Sequence, residues 1–157
     1  MSGKGIMNTK GRVKVGIIGS QFEADIHAES FRILPDEAEV VAVASPTPGN
    51  AEQFGRKHGI ARIFTDYRQM LAERDIEMVT IAAPNALHAQ MTVDAANAGK
   101  HVVCEKPLCM TLEEADLMIE TCRRQGCCAS TQRSSTSLRN MSRPGRWRTK
   151  GPLGRCI

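Results

Sequence analysis

The first residues whose types and spacing suggest chemistry are Gly16-Ile-Ile-Gly19-Ser20-Gln21-Phe22-Glu23-Ala24. A glycine that ends an apolar run and opens a helical stretch lets the backbone turn tightly. It also brings the unsatisfied amides of a helix N-terminus against an anion. In the dinucleotide pattern G-x-G-x-x-G/A, Gly19 takes the first position and Ala24 the small third one, while Gln21 stands where the second glycine belongs. A side chain there either obstructs a pyrophosphate or hydrogen-bonds to it. Gly19, Ser20, Gln21 and Phe22 are therefore candidate phosphate contacts, with an ordinary strand–helix turn as the plainer alternative. A second place of interest is Ala44-Ser45-Pro46-Thr47, at the end of the next apolar run. An acid there would bond the ribose 2′-hydroxyl of NAD and repel a 2′-phosphate. Ser45 and Thr47 replace it, with Arg56 and Lys57 following, which favours NADP slightly over NAD. A polar loop with a capping serine explains the same residues.

Other reactive side chains argue for less. The six cysteines, Cys104, Cys109, Cys122, Cys127, Cys128 and Cys156, form no C-x-x-C pair, so neither a zinc site nor a disulfide framework is expected. Free thiols in a reducing compartment are the simpler reading, and the cytoplasm is the expected location. No metal site is expected. His27 and His58 read as surface helix residues and His101 as a strand-edge residue.

The elements that must position these residues follow from periodicity. Short β-branched runs at Val13–Ile18, Glu39–Ala44, Arg62–Phe64, Met78–Ala82 and His101–Cys104 alternate with helical stretches. The helices are expected over Phe22–Leu34, ended by Pro35, and over Ala51–His58, stopped by Gly59. Others run from the Thr65-Asp66 cap through Glu73, from about Asn85 to Gly99, and from the capping box Thr111-Leu-Glu-Glu114 to near Gly126. That last helix has Leu112, Ala115, Leu117, Met118 and Cys122 as its apolar positions. With hydrophobic residues at 41% and aromatics at 4%, the core must be aliphatic. Strands this short and apolar imply a parallel sheet covered on both faces, a doubly wound α/β fold of three αβα layers, the Rossmann type. No apolar run is long enough for a membrane span.

Two further segments carry a resemblance. They are Ile81-Ala-Ala-Pro84-Asn85-Ala-Leu-His88, followed by Ala95-Ala-Asn-Ala-Gly99-Lys-His101, and Val102-Val-Cys-Glu105-Lys106-Pro107-Leu. With the opening glycine turn they resemble the glucose–fructose oxidoreductase, inositol dehydrogenase and MocA family across Val13–Arg124. The resemblance implies NAD(P)-dependent oxidation or reduction of a sugar, polyol or related hydroxyl or keto compound. It gives Lys106 a catalytic role, hydrogen-bonding the substrate hydroxyl and stabilising the oxyanion that develops there. Glu105 and Pro107, the latter often cis in such proteins, flank it at the nicotinamide end, while Pro84, Asn85 and His88 line the cofactor groove. His88 as an ordinary helix-start residue is the alternative. All these places follow strand ends, so one groove can collect them.

The chain is expected to divide into a flexible arm over 1–12, the dinucleotide-binding domain over 13–126, and an atypical basic tail over 127–157. Seventeen acids outweigh fourteen Lys/Arg over 1–125, whereas 126–157 holds seven Lys/Arg and no acid. Specific nucleic-acid binding is not expected from such a tail, which has Trp147 as its lone aromatic residue. Where the family continues with a sixth strand, the tail departs from the pattern, and a shifted reading frame accounts for that. The alternative frame from Asn140 onward permits an amphipathic helix with a glycine stop. By resemblance the substrate pocket and the usual oligomer contacts belong to a second α/β domain. This chain is therefore expected to be a truncated half, monomeric and inactive alone, with a non-catalytic nicotinamide-nucleotide-binding module as the alternative.

Overall fold

The structure, a computed structural model, describes residues 11–131. Expectations for the arm as far as residue 10 and for the tail from residue 132 fall outside the described residues. Six strands alternate with five α-helices: β1 (Val13–Ile18), α1 (Phe22–Arg32), β2 (Ala38–Ala44), α2 (Asn50–His58), β3 (Arg62–Phe64), α3 (Tyr67–Leu71), β4 (Met78–Ile81), α4 (His88–Asn97), β5 (His101–Cys104), α5 (Leu112–Gln125) and β6 (Ala129–Thr131). The sheet runs β3-β2-β1-β4-β5-β6, with every pair parallel. The order reverses beside β1, which leaves a crevice beyond the carboxyl ends of β1 and β4.

The core is aliphatic, as composition requires. Val15, Ile17, Val43, Val79, Ile81 and Val102 are all fully buried in the sheet. Phe31 of α1 packs with Val13, Val15, Ala38, Met78 and Val103 on one face. On the other face Met70, Met91, Ala95 and Cys122 close over Ile18, Ile81 and Cys104.

Local signals set the helix ends. Asp66 accepts from the Arg68 amide to open α3, and Gly59 and Gly126 adopt left-handed conformations to close α2 and α5. Thr111 caps the Glu114 amide, while the Glu114 carboxylate reaches back to the Met110 amide at 2.8 Å, one residue beyond the expected partner.

Several expectations need correction. Helix α1 ends at Arg32 and α3 at Leu71, because Ile33 and Ala72 serve as C-caps there. Helix α4 is preceded by a 3-10 turn at Asn85–Leu87. In α5, Met118 and Cys122 are buried, but Leu112 (81% exposed) and Leu117 (52%) point outward, since α5 packs mainly on α4 along its other stripe. The sheet also runs past the boundary expected at 126. Val102 N–H donates to Cys128 O at 2.8 Å and Cys128 N–H to His101 Nδ1 at 3.0 Å, recruiting β6 to the open edge of β5.

The histidines of α1 and α2 differ most from expectation. His27 is fully buried, and the His58 side chain keeps only 3% of its exposure. The His58 ring lies tilted against Phe54 and places Nε2 2.7 Å from Asp25 Oδ1, while Lys57 approaches Asp25 Oδ2 at 2.8 Å, so α2 is tied to α1.

Candidate functional site

The turn after β1 shows why a glycine stands at position 19. Its φ is +120°, and a Cβ there would lie 2.1 Å from the Ala82 carbonyl oxygen. Close approach of the β1 and β4 ends therefore excludes any side chain. Gly19 N–H donates to Ala44 O and Ala82 N–H to Ile18 O, so three strand ends converge on this turn. Gln21 is the N-cap of α1 and makes no side-chain cap, which leaves the first amides of the helix without a side-chain acceptor. This arrangement fits a pyrophosphate. Glu23, in the first helical turn, adds an opposing charge at the same rim.

At the end of β2, Ser45 is buried, and Ser20 Oγ lies 2.9 Å from Ser45 Oγ, bracing the glycine turn against β2. Beyond β3, Tyr67 donates its hydroxyl to Asp94 Oδ2 at 2.6 Å, and the Arg68 guanidinium sits 4.7 Å from the centre of its ring. Burial, then the bond to Asp94, pushes the Tyr67 phenol up to about 12.

The loops after β4 and β5 are joined by His88. The ring is fully buried, with Nδ1 2.8 Å from Pro107 O and Nε2 2.8 Å from Ala83 O, so it bridges the two loop backbones. The Lys106–Pro107 peptide bond is cis. Lys106 is exposed and, among the described residues, its ammonium has no ion-pair partner.

These parts line one cleft of about 740 Å³ along the carboxyl rim of the sheet. Of the candidates, Gly19, Ser20, Gln21, Ser45, Pro84, Asn85, His88, Glu105 and Lys106 line it together. Phe22 does not: its side chain is 71% exposed on the outside of α1. Pro107 is absent from the walls too, and it contributes a carbonyl to His88 behind them. Thr65, Asp66, Tyr67 and Arg68 also line the cleft and were not expected there. The strand-end rule that selected the other loops applies equally to β3, but these residues read first as a helix cap.

The cysteines take no part. Cys104, Cys109, Cys122 and Cys127 are free, and burial pushes the Cys104 thiol up to about 12 and Cys122 to about 11. Among the described residues no group of three His, Cys, Asp or Glu could hold a metal ion, and no helix is long and apolar enough to cross a membrane.

A parallel sheet in this order, with a glycine turn after β1 and a cleft along its carboxyl rim, defines a Rossmann-type αβα domain. The chain belongs to the Gfo/Idh/MocA family: the oxidoreductase family with an NAD-binding Rossmann fold matches residues 13–132. The scyllo-inositol 2-dehydrogenase (NADP(+)) of Bacillus subtilis is 34% identical over 128 residues, covering 82% of this chain and 39% of that protein. A levoglucosan dehydrogenase solved with NADH superposes with a TM-score of 0.69 at 30% identity, over 77% of this chain and 34% of the other. A 3-ketoreductase from Actinomadura kijaniata, solved with TDP-benzene and NADP, gives 0.73 at 28% identity, over 78% and 37%. The chain thus spans little more than a third of the length of these relatives.

Proposed function

We propose that this chain holds NAD(P) in the rim cleft and forms the cofactor half of an oxidoreductase for a sugar, polyol or related hydroxyl or keto compound. The observation that carries this reading is the position of Lys106, an unpaired ammonium on the same rim as the Gly19 turn. The uncapped first turn of α1 takes the pyrophosphate, and Pro84, Asn85 and the backbone held by His88 flank the nicotinamide end. The nicotinamide, when bound, supplies hydride transfer at the substrate carbon. Lys106 Nζ donates a hydrogen bond to the substrate oxygen and stabilises negative charge there through a fixed electrostatic interaction. The similarity to a scyllo-inositol dehydrogenase and a levoglucosan dehydrogenase supports the substrate class.

At the end of β2 the absence of a carboxylate favours NADP slightly, since Ser45 and Thr47 carry no charge to repel a 2′-phosphate. The free thiols of Cys104, Cys109, Cys122 and Cys127 fit a reducing compartment such as the cytoplasm. A second reading, a nucleotide-binding module without turnover, is favoured by the exposure of Lys106. Among the described residues no second wall excludes water from it, and water exclusion strengthens such electrostatics. Reduction of NADP by the chain incubated with polyols would exclude the second reading, whereas nucleotide binding without turnover is common to both.

Fluorescence titration with NADPH and NADH tests the site itself. Saturable binding of both is expected, with NADPH at least as tight. Gly19→Val forces a branched side chain onto the Ala82 carbonyl at a positive φ, strain of about 1–3 kcal/mol. Binding at least about tenfold weaker is the expected result. Failure of the parent chain to bind either nucleotide, or indifference to Gly19→Val in a folded variant, contradicts the proposal.

A further inference from the structure

Glu105 and Lys106 are neighbours of opposite charge at the rim of the cleft, yet their side chains do not pair. The carboxylate is turned inward instead. Its Oε2 accepts the Lys106 backbone N–H at 3.1 Å, its Oε1 lies 3.0 Å from His27 Nε2, and the side chain keeps 12% of its exposure. His27 comes from the middle of α1 and is fully buried, with Nδ1 3.0 Å from the Thr80 hydroxyl on β4. Burial pushes the imidazole below its ordinary range, against the pull of Glu105. A neutral ring then accepts the Thr80 hydroxyl at Nδ1 and presents Nε2–H to the carboxylate. The Nε2–Glu105 contact is short but not straight along the N–H, so the attraction is mainly that of a charge for a dipole.

A nearly buried carboxylate must be met by donors, or burial drives it back to water. Without His27 the outward route leads into the cleft, where the adjacent cation is Lys106. Swinging there, the carboxylate would neutralise Lys106 and place negative charge beside a site for an anionic nucleotide.

We infer that His27, seated by Thr80, is a positioning residue that holds the Glu105 carboxylate inside the fold and leaves the Lys106 ammonium uncompensated in the cleft. The inference rests on the proposed nicotinamide-nucleotide site. It also couples the helix that begins at the phosphate turn to the residue at the opposite end of the cofactor.

The test is a double-mutant cycle read by NADPH affinity. His27→Phe is expected to weaken binding about fivefold, and this cost is expected to vanish when the same change is made together with Glu105→Gln, a coupling in the range found for contacting residues. Should His27→Phe not fold, Thr80→Val, which unseats the ring without removing it, replaces it in the same cycle. If the parent chain binds no NADPH, the functional reading fails. If the parent binds and the His27 change costs the same with and without Glu105→Gln, or costs nothing, His27 only fills space and the inference is overturned.

Discussion

Tyr67 is the chain's single tyrosine, which makes its environment directly measurable. Burial and the bond to Asp94 hold its phenol protonated up to about 12. Ultraviolet titration should show one ionisation near that value. Asp94→Asn removes the adjacent negative charge and should move the midpoint down toward the ordinary value of about 10. A midpoint that stays put in the variant would mean that Asp94 has no electrostatic influence on the ring. Neither this pair nor the His27–Glu105 contact could be read from the sequence, because the partners lie far apart along the chain and only the fold brings them together. Lys106 was different. It sits in a short string whose order with the earlier Pro-Asn and His residues is specific, so the resemblance carried it. Phe22 shows the converse: the motif included it, but its place on the outer side of α1 keeps it out of the cleft.

At the scale of elements, capping chemistry and periodicity were legible because they are local. β3 and β5 fall where the apolar runs put them, and Gly59 and Gly126 close their helices as expected. β6 was not legible. Ala129-Ser-Thr131 has little strand character of its own and forms because β5 offers an unpaired edge. Packing also reverses local propensity within α2. Gly55 lies where a Cβ would be 2.4 Å from Ile63 Cδ1 and 2.7 Å from the Ile60 backbone oxygen. Alanine ordinarily stabilises a helix interior by about 1 kcal/mol over glycine. Here the backbone oxygen cannot yield cheaply, and overpacking of this kind costs about 1–3 kcal/mol. Gly55→Ala should therefore lower the denaturant midpoint, and a rise would show that α2 moves freely away from β3.

Across the whole molecule, one sheet order and one rim account for the site. Five loops from distant parts of the sequence meet in a single cleft because every strand is parallel and every carboxyl end points the same way. That architecture was legible in the alternation of strands and helices. The preference between NAD and NADP was less so, since it turns on absent charge near Ser45 rather than on a residue that is present. Backbone amide chemical shifts recorded during addition of NADPH test the central claim most directly. Perturbations should map together onto residues 19–23, 45–47, 82–85 and 105–106, leaving the amino ends of the strands, such as Val13 and Met78, unmoved. Shifts confined to those amino ends, or to β6 and α5, would contradict the account.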